Sequence, residues 1–480
     1  MVRSVALVTA NTHSSSHALM YARAPPSGAL AYNTDFLRYD SRVSVISTLE
    51  GFGISGVGFV FLLAFGAFGG MVMLFPQLMA HMLGWFFALS PVWLPIFLCS
   101  VFWNLWIAYR RAQFIVSQDV MVLEIKIPRE IEKSPRAMEL VFAGLAISSG
   151  EGTFIDRWIN GKVRPWFSFE IVSIGGRIHF FIWTRRGLRE IIEAQIYAQY
   201  PNVEINEADD YAMRVRYESG NYLAWGCDFK LTRPDPYPIK TYVEYELDRD
   251  PKEEYKIDPI AHLFEFLSTL KPGEQVWYQI MIRTNKDKRH KHGTMFGTED
   301  RWKSEAEEEM KKIKDKATSK TTDKDGNERA GIPHLSPIQT DQIKAIERSL
   351  GKQGYDVGIR AVYAAEKTAF RAVSIGGMTG VFRQFSSSHL NSIAPTRWMT
   401  KFDYPWQDFR GMRKERTVRK LFDAYRRRSW FHPPHFTPHF VMTTEELATI
   451  FHFPSRGIQA PGLDRIPARK AEAPPNLPTA

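Results

Sequence analysis

The chain has 480 residues, a net charge of +10 and a mean hydropathy of -0.26, which allows two to four domains and on average resembles an ordinary soluble protein. That average conceals residues 51–109, where no Asp, Glu, Lys or Arg occurs; so long an uncharged run is ample to cross a bilayer core and excludes a purely soluble protein. Two cysteines, Cys99 and Cys227, exclude a disulfide framework and fit a reducing compartment, and the positive excess points to an anionic neighbour, lipid headgroups or nucleic acid.

Residues 1–50, with Ser14, Ser15, Ser16, Pro25 and Pro26 and little apolar periodicity, read as a flexible N-terminal arm rather than a signal peptide. Residues 51–111 read as a transmembrane hairpin, with spans at about 53–75 and 86–109 parted by Pro76 and Gly84. Arg110 and Arg111 follow the second span, Arg38 and Arg42 precede the first, and the loop between lacks both Lys and Arg. The positive-inside rule then puts both termini in the cytoplasm of a multi-pass protein. Gly66 and Gly70 sit on one helical face and suit close packing, within the hairpin or between copies in a homo-oligomer. Gly51, Gly53 and Gly56 spell G-x-G-x-x-G, but they open a membrane span rather than a solvent-facing helix, so no dinucleotide cofactor is expected.

From residue 118 the pattern changes to α+β. Residues 121–127 alternate like a half-buried strand, 135–145 are helical, 166–173 and 177–184 form a hairpin across Gly175 and Gly176, 187–200 are helical to Pro201, and 203–205 close a strand. This order, within 118–212, is that of a ferredoxin-like βαββαβ unit. A second such unit is expected at 213–395: strands at 225–232 and 239–247, a helix at 259–270, a strand at 275–283, then a helix at 338–350, a strand at 357–364 and a helix at 367–385. It is interrupted at 286–329 by a charged insertion of mixed sign, read as a solvated helix and loop without a core of its own.

The search for catalytic motifs is negative: G-x-x-x-x-G-K-[ST], H-E-x-x-H and G-x-S-x-G are absent, so no enzyme is expected. His432, His435 and His439 lie close in sequence, but three prolines and the lack of a matching Cys or carboxylate argue for an extended loop over a metal site. The strongest charge feature opens the C-terminal region 396–480, read as a basic helix and Pro-rich tail. Arg410, Arg413, Lys414, Arg416, Arg419, Lys420, Arg426, Arg427 and Arg428 face only Glu415 and Asp423, with Phe409, Phe422, Tyr425 and Trp430 interleaved. Such a helix suits phosphates, of nucleic acid or of anionic lipid, and suits equally an acidic protein partner.

Several strings carry a family likeness. Residues 165–173 (PWFSFEIVS), 178–182 (IHFFI) and 199–205 (QYPNVEI), then 358–363 (GIRAVY) and 382–385 (FRQF), resemble the membrane-anchored accessory domain found with, or fused to, bacterial type IV secretion and conjugation ATPases. The string 444–455 (TEELATIFHFPS) is similar to the lead into a HerA-like or coupling-protein-like motor, as is 474–478 (PPNLP). The resemblance implies a non-enzymatic subunit at the bacterial inner membrane that docks a separately encoded P-loop ATPase. Glu445, Glu446, Leu447, Ile450, Phe451, His452, Phe453 and Pro454 would be its docking segment. The partners expected are membrane lipid, that ATPase and DNA; the rival expectation is a membrane-tethered nucleic-acid-binding protein without a motor.

Overall fold

The computed structural model describes residues 56–128, 131, 133–147, 153–215, 217, 221–248, 258–286, 288–290, 298–322, 328–396, 408–455, 460–463 and 465–466. The N-terminal arm, Gly51 and Gly53, the middle of the charged insertion, residues 397–407 and the 474–478 string lie outside them. The chain divides into two compact units, 1–87 and 88–480.

The first unit holds α1 (Gly56–Leu74) and most of α2 (Pro76–Ala88). The expected loop at 76–85 is therefore helical, and Ala64–Leu74 meets Pro76–Ala88 at a bend of 112°. Pro76 accounts for both facts: lacking an N–H it breaks the ladder of α1, while its fixed φ starts a new helix. In place of a clean two-helix hairpin, one described helix, α3 (Ser90–Val116), is long and apolar enough by itself to cross a membrane, and the bent pair adds a second if it counts as one broken span.

In the second unit, α3 is fixed to the body by its C-terminal half. Trp103 stacks on Trp158 at 6.0 Å, and Arg110 Nε donates to the Ile159 carbonyl at 2.8 Å. Gly161, at φ +65°, lies so near the Arg110 backbone that a Cβ there would sit 2.5 Å from it. The body is a ten-stranded sheet built from β1 (Val120–Pro128), β2 (Phe167–Ile174), β3 (Arg177–Arg185), β4 (Glu204–Ala208), β5 (Tyr222–Leu231), β6 (Glu274–Thr284), β11 (Gly354–Glu366), β12 (Ile393–Pro395), β13 (Phe440–Thr443) and β14 (Arg465–Ile466). Its path runs β12-β5-β11-β6-β2-β3-β1, with β4 and β14 on β1 and β13 on β11. The halves mirror each other: β4-β1-β3-β2 and β12-β5-β11-β6 both read fourth, first, third, second in chain order, and they meet where β2 pairs antiparallel with β6.

Alternation along the central strands sends side chains to opposite faces. Phe167, Phe169, Ile171, Tyr278, Ile280, Val357 and Ile359 build the larger core. Over it lie α4 (Pro135–Gly144), α5 (Arg189–Gln199), α6 (Ala261–Ser268) and α11 (Thr444–Ile450), which bring Val141, Ile192, Phe264 and Leu447. Val172, Trp277, Met281 and Val362 face the other way into a second core, covered by α10 (Met412–Arg426). Because both faces are buried, β2 and β6 carry large apolar residues at adjacent as well as alternate positions, as in Ile171–Val172 and Val276–Trp277–Tyr278.

Two sequence expectations fail here. Residues 239–247 are turns, not a strand. Their backbone groups have other partners: the Ile239 N–H donates to Glu446 and the Tyr242 N–H to Thr449, both on α11. The charged insertion is not merely solvated either. It contains the hairpins β7 (Lys288–His290) with β8 (Thr298–Asp300) and β9 (Thr318–Thr322) with β10 (Glu328–Pro333), around α7 (Arg301–Ala317). Ala306 and Ile313 of α7 meet Tyr237 and the Ile343 and Ile346 side chains of α8 (Pro337–Leu350) in a third small core. Ala306, Met310 and Ile313, three apolar residues on one side of a strongly charged helix, suffice for that packing. The last helix, expected at 367–385, is α9 (Ala372–Gly380) followed by a 3-10 turn.

Candidate functional site

The basic helix forms as α10, and its sequence explains its orientation. Val418, Leu421, Phe422 and Tyr425 recur at helical spacing and are buried in the second core. Gly411, at φ +75°, turns the chain into the helix, and Asp408 accepts from the Arg413 and Lys414 amides at 2.7 and 3.1 Å, placing an anion at the helix N-terminus. On the opposite side Arg413, Lys414, Arg416, Arg419 and Lys420 are exposed, as are Arg410 before the helix and Arg427 after it. Arg419 pairs with Glu415 at 2.5 Å and Arg427 with Asp423 at 2.7 Å, exposed i,i+4 pairs that contribute little to stability.

Arg426 and Arg428 are not part of that exposed face, which corrects the expectation that all nine cations meet phosphate. Arg426 is half-buried and donates to the Ala212 and Val215 carbonyls. Arg428 is 1% exposed. Its φ of +47° belongs to the left-handed residue that ends the helix, where Arg428 N–H bonds Tyr425 and Ser429 N–H bonds Ala424. The reversed backbone turns the guanidinium inward, where it donates to Glu170 at 3.0 Å and also binds Asp210. Burial alone would lower its pKa, but Glu170 and Asp210 outweigh burial and hold it above the usual guanidinium range.

This pair belongs to a polar row that the sequence reading missed. Glu170, Gln279, Arg360 and Asp228 are cross-strand neighbours on β2, β6, β11 and β5. Glu170 accepts from Ser168 at 2.6 Å, Tyr211 at 2.7 Å and Gln279 at 3.0 Å. Arg360 and Asp228 are wholly buried and joined at 2.7 Å, with the Arg360 guanidinium 5.0 Å from the centre of the Trp430 ring. Trp430 reaches the sheet because Gly358 is there; a Cβ would stand 2.3 Å from its ring. Tyr211 and Tyr425 share a hydrogen bond at 2.6 Å, and burial pushes both phenols well above their ordinary pKa. The row fastens α10 and the segment after it to the sheet, with the cationic side of α10 left exposed. The available signal was a lone charge inside each apolar strand: Glu170 in FSFEIVS, Arg360 in GIRAVY, Asp228 in CDF.

The expected docking segment is also placed differently. Glu445, Glu446, Leu447, Ile450, Phe451, His452, Phe453 and Pro454 are all buried, so they offer no surface to a partner. Thr443 and Glu446 form a capping box. Glu446 also accepts from Ile239, and burial pushes its carboxyl up to about 7. Glu445 accepts from Thr241 at 2.6 Å and pairs with Arg348 at 3.1 Å. Phe451 meets Phe142, Phe169 and Phe180. His452 lies 3.0 Å from Asp258; burial lowers its pKa, but the carboxylate outweighs it and the net direction is up. The segment closes the larger core because its apolar residues are too numerous for an exposed seven-residue helix.

The three neighbouring histidines go to three places. His432 is buried against Trp166, His435 lies 2.6 Å from Asp423, and His439 is 3.7 Å from Asp356. Among the described residues no group of three or more His, Cys, Asp or Glu side chains could hold a metal ion.

Residues 120–465 match the family described as a domain of unknown function, DUF8128. No curated protein matches. Among solved structures, the xylooligosaccharide oxidase from Myceliophthora thermophila C1, in complex with xylobiose, is similar at 9% identity and a TM-score of 0.23, over 67% of this chain and 56% of that one. This chain thus spans little more than half of that oxidase, and so low a score carries no argument about fold or activity. The family match runs from the first strand of the sheet to the last and takes in both halves of it, so the chain belongs to the DUF8128 family.

Proposed function

We propose that this chain is a non-enzymatic, membrane-anchored scaffold that positions a separate P-loop ATPase of a type IV secretion or DNA-transfer-like system at the cytoplasmic face of the bacterial inner membrane. One observation carries most of the reading. The same unit contains an apolar helix of spanning length, α3, and a helix whose buried stripe and buried arginine fasten it to the sheet while a cationic face stays exposed. A body so built can hold a polyanion or an acidic partner at a fixed place beside a bilayer. The mirrored strand order supports reading the sheet as two ferredoxin-like units joined through their second strands.

Because the 444–454 segment is core, docking is assigned to exposed surface, and the cationic face of α10 is the first place to test. The full chain, extracted in detergent from its native membrane, is expected to co-purify with a P-loop ATPase. The triple variant Arg413→Glu, Arg416→Glu, Lys420→Glu is expected to lose that ATPase while melting at the same temperature. An unchanged yield of ATPase would remove α10 from docking. The rival reading, a tethered nucleic-acid-binding protein without a motor, is favoured by the same exposed cations. It requires duplex DNA to bind the purified chain with an affinity that falls steeply with salt, and no ATPase to follow it.

A further inference from the structure

A cavity of about 370 Å³ lies where the end of α3 meets residues 426–434. Its walls are mostly apolar, with Ile115 and Val116 from α3, Trp183 from β3 and Phe431 and Pro433 from the segment after α10. Three further lining groups are out of keeping with such walls. Arg185 is partly buried, with its guanidinium 5.4 Å from the centre of the Phe114 ring and 5.6 Å from that of Trp166. Its hydrogen bond goes to the Val163 carbonyl, at 3.3 Å, and no carboxylate of the described residues forms an ion pair with it. Trp430 is 1% exposed and His432 8% exposed, and Trp430 Nε1 and His432 Nε2 are covered atoms with no hydrogen-bond partner among the described residues. Asp210, the acid of the lining, is already held by Arg428.

The electrostatics agree with this geometry. Burial pushes the His432 imidazole down to about 3, and Arg283, Arg111, Arg164 and Arg185 push in the same direction, so the surroundings of the cavity are positive. Burial likewise lowers the pKa of Arg185, as happens to a cation without a counterion. The place matters too. The uncharged run ends at Tyr109 and the cavity wall begins at Ala112 and extends to Val116. At 1.5 Å per residue those positions lie within about 10 Å of the apolar end, the depth of a bilayer headgroup.

We propose that this cavity binds an anionic phospholipid, its phosphate facing Arg185, its first acyl carbons lying along Ile115 and Val116. The proposal rests on the reading that α3 crosses a membrane. It goes beyond general attraction to a charged surface, because a flat cation held between the Phe114 and Trp166 rings beside an apolar cavity would fix one headgroup anion in one orientation.

The test uses the full chain in detergent, mixed with equal amounts of phosphatidylglycerol and phosphatidylcholine and read by native mass spectrometry. Retention of phosphatidylglycerol is expected to exceed that of phosphatidylcholine by about tenfold. Arg185→Gln is expected to abolish the preference. Met213→Trp, which narrows the cavity from its exposed edge without altering charge, is expected to reduce retention of both lipids. Melting temperatures of the two variants report whether each remains folded. Equal retention of the two lipids by the parent, or a preference that survives in both folded variants, would overturn the site. If inorganic phosphate at millimolar concentration stabilises the parent but not Arg185→Gln, and no lipid preference is seen, the site takes free phosphate and the lipid assignment falls. Sedimentation with membranes is read separately: its loss with the lipid preference intact would count against anchoring by α3, not against the cavity.

Discussion

Helices α10 and α11 are neighbours in sequence and lie on opposite faces of one sheet. The first is half exposed; the second is buried on every side. Charge count does not predict the difference, since α11 opens with Glu445 and Glu446 and both are inside. What separates them is the use of those charges. On the α11 side both carboxylates meet amide or hydroxyl donors, Glu445 meets the cations of Arg348 and Lys352 as well, and the core beneath is apolar. On the α10 side the sheet itself carries Glu170, Gln279, Arg360 and Asp228, so the helix is fastened by ion pairs as well as by packing. One face draws the charges that hold its helix from helices and loops around it, and the other from the sheet itself.

The largest effects should come from the anchor on each face. Arg360→Met leaves Asp228 buried without its counterion and is expected to cost about 3–5 kcal/mol, read by denaturant unfolding of the full chain in detergent. Phe451→Ala on the opposite face empties a pocket among Phe142, Phe169 and Phe180 and is expected to cost a similar 3–5 kcal/mol or so. The two differ in rescue. Adding Asp228→Leu to Arg360→Met should recover much of the loss, because the orphaned charge is removed, whereas no neighbouring polar change should repair Phe451→Ala. Failure of that rescue would mean that the α10 face is held by shape alone.

This contrast also marks how far the sequence could be read. Hydrophobic alternation located β1, β2, β3, β5, β6 and β11 to within a few residues, because strands buried on both faces leave a dense apolar record. It could not show that the two βαββαβ patterns share one sheet, since pairing of β2 with β6 depends on edges and not on period. Residues 239–247 looked like a strand because Ile239, Tyr242 and Leu247 are buried, but their amides bond α11, a contact across some two hundred residues. The exposed half of α10 was legible from its stripe. Arg428 was not, because its inward turn depends on a left-handed backbone at a non-glycine residue. The string 444–455 was conspicuous for the same reason that it is buried: it is rich in large apolar side chains.

The faces should also differ in their response to pH. Burial raises the Glu446 carboxyl from 4.5 to about 7, so the folded chain holds its proton more tightly than the unfolded chain. Its stabilising contribution is complete below about 4.5 and is lost as pH rises through 7. His432, behind the α10 face, moves the other way, from 6.5 to about 3. Its contribution is complete above 6.5 and is lost as pH falls from there toward 3. Between pH 7 and pH 5 each effect is about 2 kcal/mol and they nearly cancel in the parent. Variants separate them. Relative to the parent, His432→Gln should gain about 2 kcal/mol on going from pH 7 to pH 5, and Glu446→Ala should lose about as much. Equal slopes in unfolding measurements at pH 5, 6 and 7 would show that the two faces do not differ in this way.

The smallest effect on stability, and the sharpest contrast in position, is expected between two adjacent arginines. Arg427 is exposed and pairs with Asp423 one turn earlier, while Arg428 is buried between Glu170 and Asp210. Arg427→Ala should change stability by less than about 0.5 kcal/mol. Its effect should appear in ligand binding instead: if α10 meets a polyanion, removing one exposed cation weakens binding to duplex DNA and lowers the slope of log K against log salt by about 1. Arg428→Ala should do the reverse, destabilising the chain strongly while altering the salt slope, in whatever fraction stays folded, far less. Fluorescence anisotropy over a salt series, together with unfolding curves for the same two proteins, reads both quantities. A salt slope that falls for Arg428 and not for Arg427 would place the phosphate contact inside the fold, where the geometry leaves it no room.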